Sequence, residues 1–502
     1  MRDKGRSGEF FATSHLAVDL RGRALRGGAL TLSGQGVKLG LQIGSTMVLA
    51  RLLTPSQYGL IAMLAAVTGF VYIFKNLGLS TATVQKRQVT HEEVNLLFWV
   101  NATVSAVVMI VVAALGPALA LLYREPALTL ITAVMSTGFL FDGLGVQHFA
   151  LLQRQMRFVA LTVIDVGSMA TGIAVAIVMA LCGTGYWALV AMSLVTAAAA
   201  TVGYWMACSW RPGRPRRAAG VREMLSFGGY LTGFNTVNYL ARNLDNILIG
   251  WRWGPGPLGF YSKAYNLLLL PLQQINGPAA TVAVPAMSRL QDESARYRRA
   301  YMEVLGKLTL VTAPFVAFLI GTANWIIAIV LGSQWHGAAP IFAWLGIAAL
   351  VQPIGNTTGW LFITQHRTRE FFIWGLIGSA IAVASFIIGL PYGAVGVAAV
   401  YAISGLLVST PCLLWYVGRR GPVSAKDIVQ ASLKPWLTGL AVLAAVVLLR
   451  LILPHLGPLV GLALAAAVSA AIMLPVLRFT RLGKQTVADV RSLLQHRVQA
   501  QT

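Results

Sequence analysis

Gln35, Lys38, Gln42 and Ser45 follow one another at steps of three, four and three, the spacing that lines side chains along one face of an α-helix. Further along, Asn235, Asn238, Arg242 and Asp245 repeat the pattern. A cation in an otherwise apolar helix, flanked on its own face by amides and hydroxyls, can hold an anion such as a pyrophosphate. Lys38 and Arg242 are the two cations so placed, and a guanidinium matches phosphate oxygens with a two-pronged fork. These two are the candidate substrate-binding residues. The structural alternative is an internal ion pair between Arg242 and Asp245, three residues apart, whereas Lys38 has no acid within four residues.

Other polar groups fall where apolar ones are expected. Gln35, Gln42, Ser45, Asn235, Asn238, Asp245, Lys75, Lys263 and Asn266 are candidate cavity-lining residues, although Lys75 and Lys263 lie near helix ends, where a long side chain can also reach the interface. The stretch carrying Asn266 also holds Gln273, Gln274 and Asn276, and Pro271, Gly277, Pro278 and Pro285 are expected to interrupt or kink it. Asp142 and Asp165 are candidate coupling residues, since a desolvated carboxylate can carry a proton; salt bridges to nearby Arg154 and Arg157 are the plainer reading. Trp251, Trp253, Tyr261 and Tyr265 could stack on sugars, but anchoring at a membrane interface accounts for them more simply. His148 and His336 have no second ligand at useful spacing, and Cys182, Cys208 and Cys412 are scattered. No metal site, cofactor, disulfide framework or catalytic constellation is expected, and the chain does not read as an enzyme.

The elements that must position these groups follow from composition. Of 502 residues, 57% are hydrophobic and only 11% charged, against about 25% charged in a soluble domain. A bilayer core of about 30 Å takes roughly 20 apolar helical residues to cross. Such runs fill the chain at 28–50, 57–79, 95–121, 127–150, 159–182, 185–208, 226–250, 257–285, 305–332, 338–364, 371–390, 392–417, 435–453 and 457–477. They are continuous and longer than barrel strands, which excludes a β-barrel. The expected fold is an all-α integral membrane protein with about fourteen transmembrane helices.

Six spans separate the two striped helices, so both cross in the same direction. Pro55 and Gly59, matched by Pro255 and Gly259, carry the register through the next turn. Two six-helix bundles, 28–208 and 226–417, are therefore expected as a parallel repeat, an architecture that supports alternating access. A basic N-terminus (1–27) precedes them. A linker (209–225), whose run Arg211 to Arg217 reads as a flexible hinge, joins them. A cytoplasmic loop (418–434), an apolar and seemingly added helix pair (435–477) and a tail (478–502) follow. Val487, Val490, Leu494 and Val498 give the tail an amphipathic helical face.

The net charge of +23 raises the question of nucleic acid, and the positions of the charges answer it. Threaded from a cytoplasmic N-terminus, the outside carries only Arg51, Arg124, Arg252 and Arg450 of the 39 Lys and Arg, while Lys38, Lys75, Arg242 and Lys263 lie within spans. The remainder are inside, as the positive-inside rule requires. The charge reports topology, and no loop is long enough for a nucleic-acid-reading domain.

The stretches Ala50-Arg51-Leu52-Leu53-Thr54-Pro55-Ser56-Gln57-Tyr58-Gly59, Arg242-Asn243-Leu244-Asp245-Asn246-Ile247-Leu248-Ile249-Gly250 and Leu258-Gly259-Phe260-Tyr261-Ser262-Lys263-Ala264 resemble the Wzx-type polysaccharide exporters of the multidrug/oligosaccharidyl-lipid/polysaccharide superfamily. Leu151 to Phe158 is similar to the inside loop of the colanic-acid-exporter subgroup. The resemblance implies a flippase that moves undecaprenyl-pyrophosphate-linked oligosaccharide across the bacterial inner membrane for exopolysaccharide or lipopolysaccharide synthesis, and it adds weight to cationic cavity residues. It implies a lipid-linked oligosaccharide substrate, contact with membrane lipids and a polymerase or export complex as partner; the charge threading places both termini in the cytoplasm, and a functional monomer is expected. The related multidrug antiporters commonly carry an acid in the first helix; Lys38 stands here without one, which weakens the alternative of a cation-coupled small-molecule exporter. A membrane glycan polymerase or ligase would need a sizeable outer loop, which the spans do not leave. A purely structural scaffold would leave the mid-membrane charges without a role.

Overall fold

The computed structural model describes residues 20–75, 83, 84, 86, 89–214 and 243–489. Among them the chain is helical, with no strand, and it divides into two compact units. The first spans residues up to Asn243 together with Gly250–Gly256; the second holds Leu244–Ile249 and everything from Pro257.

The first unit contains α1 (Leu20–Leu52), α2 (Pro55–Lys75), α3 (His91–Tyr123), α4 (Ala127–Arg154), α5 (Phe158–Leu181) and α6 (Trp187–Ala207). Thr90 starts α3 with a capping box: its hydroxyl accepts from the Glu93 amide, and the Glu93 carboxylate accepts from the Thr90 amide. Along α3, Val107, Ile110 and Val111 are exposed while Val108 and Val112 are buried. That arrangement suits a helix with lipid on one side and protein on the other. Helices without a hydrophobic drive between them pack where small residues let backbones approach. A Cβ on Gly172 of α5 would lie 2.0 Å from the Thr196 hydroxyl of α6, and one on Gly34 of α1 would lie 2.1 Å from Thr162 Cγ2 of α5. Gly59, singled out by the Pro55/Gly59 repeat, approaches backbone still more closely: a Cβ there would meet the Pro255 carbonyl oxygen at 1.7 Å.

Helix α7 is described over 243–253 and crosses the division between the units. The second unit continues with α8 (Pro255–Ser288), α9 (Ser294–Gly321), α10 (Ala323–Val330), α11 (Ala338–Ala349), α12 (Gln352–Thr364), α13 (Thr368–Gly389), α14 (Gly393–Ser404), a π-helical turn over Gly405–Ser409, α15 (Thr410–Gly418), α16 (Ala425–Ile452), α17 (Pro458–Phe479) and α18 (481–489). Helix α8 runs unbroken through Pro271, Pro278 and Pro285, contrary to the interruption expected there. The break falls instead between α11 and α12, which meet at 40°.

Among the described residues, nine helices are long and apolar enough to cross a membrane, ten if the bent α11–α12 pair is one span. The expected count of fourteen is thus not established. Part of the seventh expected span, 226–242, lies outside the described residues, and Thr368–Gly418 counts as one segment although α13 and α14 pack against each other across the 3₁₀ turn Leu390–Tyr392.

Several segments expected on the inside prove shorter than their polarity implied, because the helices run on past their apolar stretches. Helix α9 begins at Ser294, and α16 begins at Ala425 with a Ser424/Asp427 capping box. The expected loop 418–434 is therefore largely helix. Tyr297, Tyr301, Phe362, Val417, Val423 and Ile428 form a buried cluster at this end. The C-terminal pair is also less peripheral than its uniform apolarity suggested. Helix α16 buries Asp427, Ile428, Ser432, Gly439, Val442 and Val446, and a Cβ on Gly439 would stand 3.0 Å from the Ala313 carbonyl of α9. Lys307 of α9 pairs with Asp489 at 2.5 Å, so the start of the tail docks on protein; Val490, Leu494 and Val498 lie outside the described residues.

The same turn recurs in the two units. After α4, Met156 adopts φ 53° and the Arg157 amide donates to Leu152 O at 3.0 Å; after α12, His366 adopts φ 55° and the Arg367 amide donates to Phe362 O at 2.8 Å. In each case the arginine side chain then reaches a carbonyl near the end of a later helix, Arg157 to Ala207 at 3.5 Å and Arg367 to Arg420 at 2.6 Å.

Candidate functional site

Lys38 lies 14 residues before the end of α1, about 21 Å along the axis, on the side that meets α5. The close approach of Gly34 to Thr162 brings the next turn of each helix together, since Lys38 follows Gly34 by four residues and Asp165 follows Thr162 by three. The Lys38 ammonium donates to Asp165 Oδ2 at 2.5 Å. The other carboxylate oxygen, Oδ1, accepts from the Tyr204 hydroxyl of α6 at 2.6 Å. Three helices thus converge on one carboxylate. Neither member of the ion pair is sealed away: the side chains of Lys38 and Asp165 are 35% and 28% exposed.

That geometry has an energetic consequence. A lone charge at mid-membrane costs roughly 2.5–3.5 kcal/mol on insertion scales, so Lys38 needs a counter-ion. A half-exposed ion pair contributes only about 0–1 kcal/mol net where water reaches it. Asp165 therefore satisfies Lys38 without binding it irrevocably, and Tyr204 still donates to Asp165 if the lysine turns elsewhere.

The remaining stripe residues of α1 divide by exposure. Gln35 and Gln42 are exposed, and Ser45 is half-buried with its hydroxyl donating to Gln42 O at 3.0 Å. Asn235, Asn238 and Arg242 lie outside the described residues, as does the side chain of Lys75 at the end of α2. Asp245, expected to line a cavity, is instead turned into the second unit and is 4% exposed. Its carboxylate accepts from the Tyr261 hydroxyl at 2.8 Å and from the Asn246 amide at 2.7 Å. Tyr261, one of the four expected aromatic anchors, is correspondingly buried, while Trp251 and Trp253 are exposed. On α8, Lys263 is half-buried and Asn266, Gln273 and Gln274 are exposed.

Asp142 is half-buried on α4. The arginines expected to neutralise the aspartates have other work. Arg154, 7% exposed, donates through Nη1 to the carbonyls of Thr83, Val84 and Lys86 at 3.1, 3.3 and 2.5 Å. His148 is fully buried and stacked on Trp205, with ring centroids 4.3 Å apart. Among the described residues no three His, Cys, Asp or Glu side chains converge as metal ligands.

The start of the expected flexible linker is fastened down. The Asn95 side chain accepts from the Gly213 amide at 2.8 Å and donates to Arg214 O at 2.6 Å; the Trp99 indole donates to Gly213 O at 2.7 Å. Trp210 is fully buried and donates to His91 Nδ1 at 3.0 Å. Gly213 and Arg214 are held against α3, so the start of the run expected to be a flexible hinge is not free; 215–225 lie outside the described residues.

Tyr204 was not legible as part of this site, since beside Trp205 and Met206 at the end of α6 it reads as one more apolar or interfacial residue. Gly34 did carry a signal, a small residue one helical turn from a charged one, where close helix approach is expected.

A family profile for polysaccharide biosynthesis proteins matches residues 48–340. The chain is 25% identical to lipopolysaccharide biosynthesis protein WzxC of Escherichia coli (strain K12), over 84% of this chain and 85% of that protein. It is likewise 25% identical to succinoglycan biosynthesis transport protein ExoT of Rhizobium meliloti (strain 1021), over 83% and 84%. Among solved structures, the inward closed lipid II flippase MurJ superposes with a TM-score of 0.66 at 14% identity, covering 89% of this chain and 99% of that one. An inward-facing multidrug resistance MATE transporter of the MOP superfamily gives 0.58 at 13% identity, covering 82% and 95%. These structural likenesses establish a shared transporter fold. The chain is a multi-pass membrane protein that belongs to the polysaccharide biosynthesis protein family.

Proposed function

We propose that the protein is a flippase that carries an undecaprenyl-pyrophosphate-linked oligosaccharide from the cytoplasmic to the periplasmic leaflet of a bacterial inner membrane by alternating access. The observation that carries this reading is the Lys38–Asp165 pair: a cation deep in a helix, 35% exposed, whose counter-ion is held a second time by the Tyr204 hydroxyl. The relatives named for polysaccharide biosynthesis and transport support the substrate class.

In this reading Asp165 is a stand-in for the substrate's anion. A pyrophosphate, with more than one negative charge and several acceptor oxygens, competes for the Lys38 ammonium; Asp165 yields and keeps its bond from Tyr204. When the cavity opens to the other side and the anion leaves, the carboxylate returns to Lys38. Arg242, on the repeated stripe, supplies a second phosphate contact. Exposed amides such as Gln35, Gln42 and Asn266 meet the glycan, while the prenyl chain stays in lipid. The protein makes and breaks no covalent bond in this cycle. Both termini are cytoplasmic, and one chain suffices for transport beside a separate polymerase.

Exchanging the charges tests this against a purely structural pair. Lys38→Asp with Asp165→Lys retains an ion pair between α1 and α5 but moves the cation to the wrong helix. The expected result is normal membrane insertion with polysaccharide export lost and lipid-linked repeat units retained on the cytoplasmic face. Export restored to the unmodified level by the exchange would reduce the pair to a helix fastener, and unimpaired export by the Lys38→Ala, Arg242→Ala double variant would remove the anion site altogether.

A further inference from the structure

A long-range feature that transport chemistry does not use lies where a helix of the second unit loses continuity. Pro353 has no amide hydrogen to donate to Ala349 O, and its ring crowds the preceding turn. The chain bends by 40° between α11 and α12, and the Ile354 amide turns to Val351 O at 3.1 Å. The Leu350 carbonyl accepts instead from Trp436 Nε1 of α16 at 3.3 Å. Helix α16 repeats the service at its other end: Arg450 Nη1 donates at 3.1 Å to Gly321 O, where α9 gives way to α10 at Thr322, and its guanidinium lies 5.8 Å from the centre of the Trp325 ring.

The neighbouring span carries an irregularity of its own. Helix α11 and helix α14 are each 12 residues long; α11 is broken at Leu350–Val351, whereas α14 continues into α15 through the π turn Gly405–Ser409. A π turn is frequently a functional site within a helix. Helix α11 packs on α14, and α12 packs on α15, so the segments before the two irregularities form one packed pair and the segments after them another. In the first unit α4 and α6 run without a break over 28 and 21 residues.

We propose that the second unit contains a transmembrane joint, in which the segments α12 and α15 move as a pair against α11 and α14, and that Trp436 is the positioning residue that holds the joint at its bend. Helix α16 is then a working brace, outside the two repeated helix sets, that supplies the hydrogen-bond donor the broken backbone lacks. Its indole acts through the Leu350 carbonyl and touches no substrate. This assignment concerns the transport cycle and does not depend on the identity of the cargo or on Lys38.

Trp436→Phe removes the indole donor and keeps an aromatic ring; Pro353→Ala restores the amide whose absence causes the bend. Backbone hydrogen exchange of the full-length protein in lipid nanodiscs reads the joint directly. For Trp436→Phe the expected result is at least tenfold faster exchange confined to 350–357, with α9 and the first unit unchanged, and export reduced several-fold at equal membrane abundance. Pro353→Ala is expected to slow exchange at 350–357, to make the added Trp436→Phe change silent there, and to lower export by fixing the joint. Wild-type exchange and export in Trp436→Phe, faster exchange spread evenly over the second unit, or full export by Pro353→Ala would each overturn the proposal.

Discussion

Lys38 and Asp165 stand 127 residues apart in the chain, and their charged atoms stand 2.5 Å apart in the fold. The pair is set by a helix crossing: Gly34 lets α1 approach α5 at Thr162, and one turn further the two charges meet. The cation that the polar stripe offers to an anion is thus already engaged by Asp165, and the proposed cycle has the substrate's anion take that carboxylate's place.

Tyr204 should govern how readily that exchange runs. Tyr204→Phe removes the donor to Asp165 Oδ1, an interaction with a charged acceptor worth about 1.5–3 kcal/mol and less where water enters. Asp165 then depends more heavily on Lys38. The expected outcome is slower export at near-normal abundance, and no additional loss when Asp165→Asn is already present; a double-mutant comparison of export rates measures it.

Gly34→Val should separate the pair without touching either charge. Even a Cβ at this position meets Thr162 Cγ2 at 2.1 Å, and overpacking of this kind typically costs about 1–3 kcal/mol. Cysteines introduced at 38 and 165 are expected to cross-link in the parent chain and to lose that cross-link in the Gly34→Val background.

Arg154→Met removes the donor shared by the carbonyls of Thr83, Val84 and Lys86. Removing one buried partner costs about 1–3 kcal/mol for each group left unsatisfied. Trypsin cleavage after Lys86 in inside-out vesicles should accelerate strongly, and the thermal unfolding midpoint of the purified protein should fall.

Asn95→Ala should free the start of the segment joining the units. It deletes both side-chain bonds to Gly213 and Arg214 while Trp99 retains one. Faster trypsin cleavage after Arg216 and Arg217, the nearest basic residues not followed by proline, is the expected sign, and an Asn95→Ala, Trp99→Phe pair should exceed either single change.

Proline shows how local rules reach a limit. Pro271, Pro278 and Pro285 predict an interruption that α8 does not show, whereas Pro353 accompanies a 40° bend. The side chain that meets the broken backbone at Leu350 comes from Trp436, 86 residues away, which no window around a proline contains. Likewise Asp245 belongs to the polar stripe by spacing, yet burial against Tyr261 decides that it faces protein. For the tail and the inside loops, the capping box of Ser424 and Asp427 was present in the sequence as a helix start, but hydropathy alone drew the boundary too late.

The sequence by itself determined that the chain crosses a membrane as helices, which family it resembles, and that Lys38 shares a face with Gln42 and Ser45. Those properties follow from bilayer thickness and the 3.6-residue helical period, both of which act along the chain. Only the tertiary structure decided that Lys38 meets Asp165 and Tyr204, that Arg154 serves backbone rather than aspartate, and that α16 braces a broken span. Each of these depends on how closely two helix surfaces approach, and that distance is set by small residues and carbonyls on both partners at once.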